Sequence, residues 1–177
     1  SKKDFELGLI RNHYVGRTFI EPTQSIRSLG VKLKLNSTKT IVKNKSIILI
    51  DDSLVRGTTC YKIVKMLYEN GAKEVHVRIA CPEIMYPDFY GVDMPTKEEL
   101  LAYKKSNNEM CKYINAKSLK FLSLDGLYKA LIGESRNSNI PQFSDHYFTG
   151  DYPIKPSDNL RGLNIQQLSL LSNKSSS

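Results

Sequence analysis

The sequence predicts an α/β fold with a mostly parallel sheet and flanking helices. Three observations predict it. Ile47-Ile48-Leu49-Ile50 is an unbroken aliphatic run, the pattern of a strand buried on both faces of a parallel sheet. Ile63, Val64, Leu67 and Tyr68 then form an i, i+1, i+4, i+5 stripe, an amphipathic helix that Gly71 ends as a left-handed cap. Val75 to Ala80 reads as the next strand, so strand, helix and strand make a β-α-β unit with a right-handed crossover.

The chemistry lies between that first strand and its helix. Asp51 and Asp52 follow the strand at once, and Ser53-Leu54-Val55-Arg56-Gly57-Thr58-Thr59 leads into the helix. Ligands of open α/β sheets sit outside the carboxyl ends of the strands. A helix N-terminus there offers N–H groups outside the ladder and the positive end of the dipole, an anion site. Gly57 lets backbone approach the anion, Thr58 and Thr59 add hydroxyl donors, and Arg56 adds charge. The two carboxylates repel that anion and need donors or a cation: sugar hydroxyls, Mg²⁺, or both. Each piece has an ordinary reading, since Asp-Asp at a strand end is common and Thr-Thr serves as an N-cap. All of them in this order describe a site for a ribose 5-phosphate group.

The bulk properties restrict the alternatives. A chain of 177 residues holds one domain with a real core, and a hydrophobic fraction of 40% suggests a polar tail. No apolar run has membrane-spanning length, and Ser1-Lys2-Lys3-Asp4 does not open a signal peptide, so no membrane association is expected. Cys60, Cys81 and Cys111 are odd in number and far apart, which argues for a reducing cytoplasm and against a disulfide framework or a zinc site. The net charge of +8 raises nucleic acid as a partner. The lysines are dispersed, with no Lys/Arg block and no aromatic-interleaved strip. A solvated basic surface, which also suits a polyanionic small substrate, is the better account.

IILIDDSLVRGTT, residues 47–59, resembles the phosphoribosyl pyrophosphate (PRPP) signature of type I phosphoribosyltransferases. The wider stretches GLIRNHYVGRTFIEPTQSIRSLGVKLKLN, FYGVDMPTKEELLA and FTGDYP are similar to glutamine PRPP amidotransferases, from about Leu7 to about Pro153. The resemblance implies a partial type I phosphoribosyltransferase fold over residues 1–135, followed by an extension and polar tail over 136–177. It implies the first committed step of purine synthesis, in which PRPP and glutamine give 5-phosphoribosylamine. Asp51, Asp52, Ser53, Arg56, Gly57, Thr58 and Thr59 are the implied substrate contacts, with Asp51 and Asp52 also at Mg²⁺. Arg11 to Arg17 has cationic groups and Gly16 as a hinge, the makings of a lid over an anion or simply a polar loop. The resemblance makes residues 11–20 the lid, with Arg11, Tyr14, Arg17 and Thr18 closing over PRPP. Arg11 stands where other members often have Lys, and His13 where many have Arg. The implied catalysis is positioning and charge stabilisation of an oxocarbenium-like transition state, with no side-chain nucleophile.

The resemblance covers only the carboxyl part of such enzymes. The expected partners are therefore PRPP and either a glutaminase half or a second copy of the chain. Some members hold an iron–sulfur cluster on cysteines. Asp88 precedes Phe89-Tyr90-Gly91, and Phe143 to Tyr147 has no cysteine, so no cluster is expected. A non-catalytic PRPP- or nucleotide-binding module and an inactive truncated product are the alternatives.

Leu7 to Ile10 forms a short strand; Glu21 to Asn44 is irregular, and Val31 to Leu35 is an edge strand or a basic loop. His76 is a packed or edge residue. Tyr86, Phe89 and Tyr90 form a wall for a base or pack the loop down. Thr96 with Glu99, and Ser106 with Glu109, are capping boxes opening helices. Leu119 to Leu122 is a short strand, and Ser123 to Ile132 is an amphipathic helix closed by Gly133. Phe148 to Pro153 folds back on the domain, and 157–177 is a tail poor in hydrophobic residues.

Overall fold

The structure, a computed structural model, describes residues 5–6, 9–11, 35–37, 39–92 and 96–154. Two short strands come first in the chain. β1 (Leu9–Arg11) pairs antiparallel with β2 (Leu35–Ser37), Ile10 opposite Asn36. Of the strand expected at Leu7 to Ile10, Leu9 and Ile10 are in β1, which runs on through Arg11, and Leu7 and Gly8 lie outside the described residues. Of the basic alternation, Leu35 is in a strand and the rest lies outside the described residues. A four-residue helix, α1 (Lys39–Val42), stands where irregular chain was expected.

The main sheet follows. β3 (Ser46–Asp51), α2 (Thr58–Glu69) and β4 (Glu74–Ile79) form the expected β-α-β unit. A 3-10 turn (Lys97–Glu99), α3 (Leu101–Lys104) and α4 (Asn107–Tyr113) lead to β5 (Ser118–Phe121), then α5 (Leu124–Ile132) and α6 (His146–Thr149). The strand order is β3-β4-β5, all parallel, with Leu49 opposite Val77 and Val77 opposite Leu119. The carboxyl ends of all three strands therefore meet at one edge of the sheet.

One face of this sheet carries the core. Leu49, Val75, Val77, Ile79 and Leu119 are buried with Cys60, Ile63, Val64 and Leu67 of α2 and Met110 of α4. The α2 stripe thus faces inward as its spacing requires, Val64 being fully buried. The helix ends in a Schellman turn: Gly71, at φ +90°, donates to the Tyr68 carbonyl and Ala72 to that of Leu67.

The other face corrects the sequence reading of β3. Its aliphatic run was expected to be buried on both sides, yet Ile48 is 49% and Ile50 68% exposed. The cause is position. Among the described residues, α2 and α4 pack on the Leu49 side, which leaves Ile48 and Ile50 on the less covered face. Along β4, half-buried His76 and Arg78 share the Ile48 side, alternating with fully buried Val75 and Val77. His76 is a packed residue: its Nδ1 lies 2.8 Å from Ser118 Oγ.

The two capping boxes diverge. Ser106 and Glu109 form theirs in full, with Ser106 N–H and the Glu109 carboxylate 2.8 Å apart. Thr96 makes no side-chain cap bond, and its segment is a 3-10 turn rather than the start of a long helix. The Glu99 carboxylate pairs with Arg56 and is also near the Thr96 backbone N–H. α5 matches its prediction, with Ser123 accepting from Gly126 N–H and Gly133 at φ +77°.

The FTGDYP segment folds back as expected. Met85 and Tyr86 N–H both donate to the Tyr147 carbonyl, and the Tyr152 hydroxyl donates to that of Pro87. Phe89 stacks near Tyr152 at 5.2 Å and Tyr90 meets His146 edge-on at 5.1 Å, so these aromatics pack the loop down. Among the described residues, no helix is long and apolar enough to cross a membrane.

Candidate phosphate and diol site

β3 delivers Asp51 and Asp52 to the carboxyl edge of the sheet. Asp51 closes the strand, its carbonyl accepting from Ala80 N–H at 2.9 Å. Its Oδ1 accepts from Asp52 N–H at 3.1 Å. Burial pushes the Asp51 carboxyl above the ordinary range; the Asp52 N–H pulls it down and the Asp52 charge pushes it up again. Asp52 is exposed, and its Oδ1 accepts from the Ser53 hydroxyl at 3.1 Å. Two adjacent carboxylates, one of them short of stabilisation when charged, make a place for a cation or a diol.

The loop then descends into α2. Leu54 is buried and anchors it, while Thr58 and Thr59 remain exposed. The N-cap is Gly57, not a threonine, and it supplies no side-chain cap. The first intrahelical bond is from Tyr61 N–H to the Gly57 carbonyl. The N–H groups of Thr58, Thr59 and Cys60 precede that ladder at the positive end of a 12-residue helix.

Two residues of this loop also have neighbours that the sequence did not announce. Arg56, expected to add charge to the anion site, has its guanidinium 3.1 Å from the Glu99 carboxylate. Gly57 was assigned to close backbone approach to the ligand. Its φ of +75° already favours glycine, and a Cβ there would come within 2.6 Å of Leu101 Cδ2 and 3.1 Å of the Tyr113 ring. The glycine is demanded by α3 and α4 behind the loop. Sequence reasoning missed these supporting residues because Thr96 to Glu99 was read only as a capping box.

Arg11 lies in β1, and Tyr14, Arg17 and Thr18 fall outside the described residues. Burial, followed by the nearby aspartate charges, pushes the Cys60 thiol up to about 12 and the Cys81 thiol to about 11. Both are protonated at neutral pH, so neither is a nucleophile there. Among the described residues, no three His, Cys, Asp or Glu side chains form a metal-binding group. At Asp88, the position without cysteine, the carboxylate instead meets His146 Nε2 at 2.9 Å and the Tyr147 hydroxyl at 3.1 Å.

Known proteins are similar to this chain in sequence and fold. The chain is 59% identical over 152 residues to an amidophosphoribosyltransferase of Rhizobium etli, covering 85% of this chain and 31% of the relative. It is 52% identical to that of Staphylococcus aureus, covering 84% and 30%. A chloroplastic form from Arabidopsis thaliana is 51% identical, with 87% and 26% covered. Among solved structures, glutamine PRPP amidotransferase from B. subtilis, complexed with ADP and GMP, matches with a TM-score of 0.73 and 47% identity, over 86% of this chain and 34% of that one. The chain is related to the carboxyl-terminal part of the amidophosphoribosyltransferases. Its parallel sheet with flanking helices is that of a type I phosphoribosyltransferase fold. It spans about a third of the length of these relatives. No protein-family model matches it.

Proposed function

We propose that this chain carries the PRPP-binding part of an amidophosphoribosyltransferase, whose full reaction makes 5-phosphoribosylamine from PRPP and glutamine. The observation that carries the reading is the order along one sheet edge: Asp51 and Asp52 at the end of β3, then a tight loop into an uncapped helix N-terminus. The N–H groups and hydroxyls of Thr58 and Thr59 receive the 5-phosphate, with Gly57 turning the chain into the helix. Asp51 and Asp52 accept hydrogen bonds from the ribose hydroxyls. They would also hold Mg²⁺, which offsets the charge of PRPP when bound. With two protein carboxylates in place, phosphate oxygens and water complete such a cation's shell. Ser53 orients Asp52 through its hydroxyl.

Fixed N–H donors at a helix start hold the 5-phosphate without reorganising, which positions the anomeric carbon as pyrophosphate leaves. Arg11, Tyr14 and Arg17 act as the lid that excludes water. Glutamine-derived ammonia comes from a glutaminase half, on this polypeptide or on another. The Rhizobium and Staphylococcus relatives support this assignment through their names, and the ADP and GMP of the B. subtilis complex fit a protein that handles nucleotide-like ligands.

Calorimetric titration of the chain with PRPP and Mg²⁺ tests the reading. The expected result is saturable binding that requires Mg²⁺ and falls at least tenfold in Asp52→Asn. Equal affinity in wild type and Asp52→Asn would remove the diol assignment.

A further inference from the structure

The loop that makes the candidate phosphate site is held from behind. Three contacts converge on three consecutive residues. Leu101 N–H donates to the Val55 carbonyl at 2.9 Å. The Arg56 guanidinium meets Glu99 Oε2 at 3.1 Å. Gly57 lies against Leu101 and Tyr113 so closely that no Cβ fits. The supporting side is itself braced: Glu99 N–H donates to the Thr96 carbonyl, and the Lys97 ammonium lies 4.5 Å from the Tyr103 ring centroid. Leu100, between the two supporting residues, is fully buried.

Of the three contacts, only the ion pair involves side chains alone. A cation in a phosphate loop would ordinarily be assigned to the phosphate. Here it is turned onto a carboxylate 43 residues further along the chain. We infer that Glu99 is a positioning residue for the phosphate loop, acting through Arg56, and that Arg56 is a strut rather than a phosphate ligand. The inference rests on the reading of the site given above, and it deepens that reading by separating the groups that touch the phosphate from those that hold the loop. The N–H groups of α2 then bind the anion, and the Arg56–Glu99 pair fixes where they point. Removing either partner frees the same few residues, so the two side chains act as one unit.

The test is a double-mutant cycle on the full chain, read by calorimetric titration with ribose 5-phosphate. Both side chains are about half exposed, and such pairs contribute modestly, so Arg56→Met and Glu99→Gln are each expected to weaken binding by about threefold to fivefold. The double variant should bind no worse than either single one. The charge swap Arg56→Glu with Glu99→Arg should recover affinity to within about twofold of wild type. A direct phosphate ligand behaves differently: Arg56→Met would then cost far more than Glu99→Gln, and the swap would recover nothing. Either of those results overturns the inference.

A second measurement does not depend on ligand. Amide hydrogen exchange in Leu54 to Gly57 should accelerate in Glu99→Gln while Val75 to Ile79 stays protected. Unchanged exchange in the loop overturns the strut. Absence of ribose 5-phosphate binding to the wild-type chain would overturn the reading of the site, and the exchange result would then decide the strut alone.

Discussion

His146 and Asp88, fifty-eight residues apart in sequence, are joined by a 2.9 Å contact with both side chains almost wholly buried. The contact ties α6 to the loop after β4. Burial alone would push the Asp88 carboxyl up. The N–H groups of Val92 and Tyr90, with His146 and the Tyr147 hydroxyl, outweigh that and bring it from 3.8 down to about 2. His146 Nδ1 faces the Ser144 hydroxyl at 2.9 Å, so both ring nitrogens have partners.

The sign of the pH dependence follows. A carboxyl depressed in the folded state stabilises the fold above its unfolded pKa and loses that contribution as pH falls through the folded one. The guanidinium unfolding midpoint should therefore drop between about pH 4 and pH 2. Asp88→Asn should lower the midpoint at pH 7 and flatten the acid drop. Identical acid slopes in the two proteins would rule out Asp88 as the source.

The two faces of β3 should respond oppositely to truncation. Leu49 is buried against α2, so Leu49→Ala should cost about 2–4 kcal/mol in chemical denaturation. Ile50, its neighbour, is 68% exposed, and Ile50→Ala should change stability by no more than about 0.5 kcal/mol. A large loss at Ile50 would mean that its face is covered in solution.

That contrast also shows how far the sequence could be read. The 3.6-residue stripe of α2, the glycine at its end and the Ser106–Glu109 box are local signals, and each formed as expected. The order strand, Asp-Asp, loop, helix start was legible for the same reason. An aliphatic run such as Ile47 to Ile50 records that a strand is apolar, not how many of its faces are covered in this chain. The Arg56–Glu99 pair was not legible because its partners lie 43 residues apart. Gly57 was read for the close approach of backbone to an anion, since nothing local announces that Leu101 and Tyr113 occupy the space behind it.

Gly57 therefore offers a sharp test of the loop. Alanine there must adopt φ near +75° and displace Leu101 Cδ2 from 2.6 Å. A left-handed non-glycine residue with a steric clash costs about 1–3 kcal/mol. Gly57→Ala should lower stability by that amount and shift the start of α2, weakening ribose 5-phosphate binding beyond what the stability loss explains. Leu101→Ala combined with Gly57→Ala should restore part of the stability, because it removes the clash but leaves the φ. If the pair is merely additive, the clash is not the cause.

The extension after α5 is held by a charged cluster that can be taken apart one partner at a time. Arg136 Nε donates to Asp145 Oδ2 at 2.5 Å and its Nη2 to Asp151 at 2.6 Å. Asp145 is 4% exposed and also accepts from the Tyr128 and Thr149 hydroxyls, Tyr128 being buried in turn. Arg136→Met leaves a buried carboxylate with neutral donors only, a loss of about 3 kcal/mol for an ion pair of this burial. Asp151 is exposed, so Asp151→Asn should cost less than about 1 kcal/mol. Double replacement Arg136→Met with Asp145→Asn should recover part of the single-variant loss, because the remaining amide can stay hydrogen-bonded without an unbalanced charge. Thermal denaturation of the three variants distinguishes this from simple loss of packing, in which the double variant would be the least stable of all.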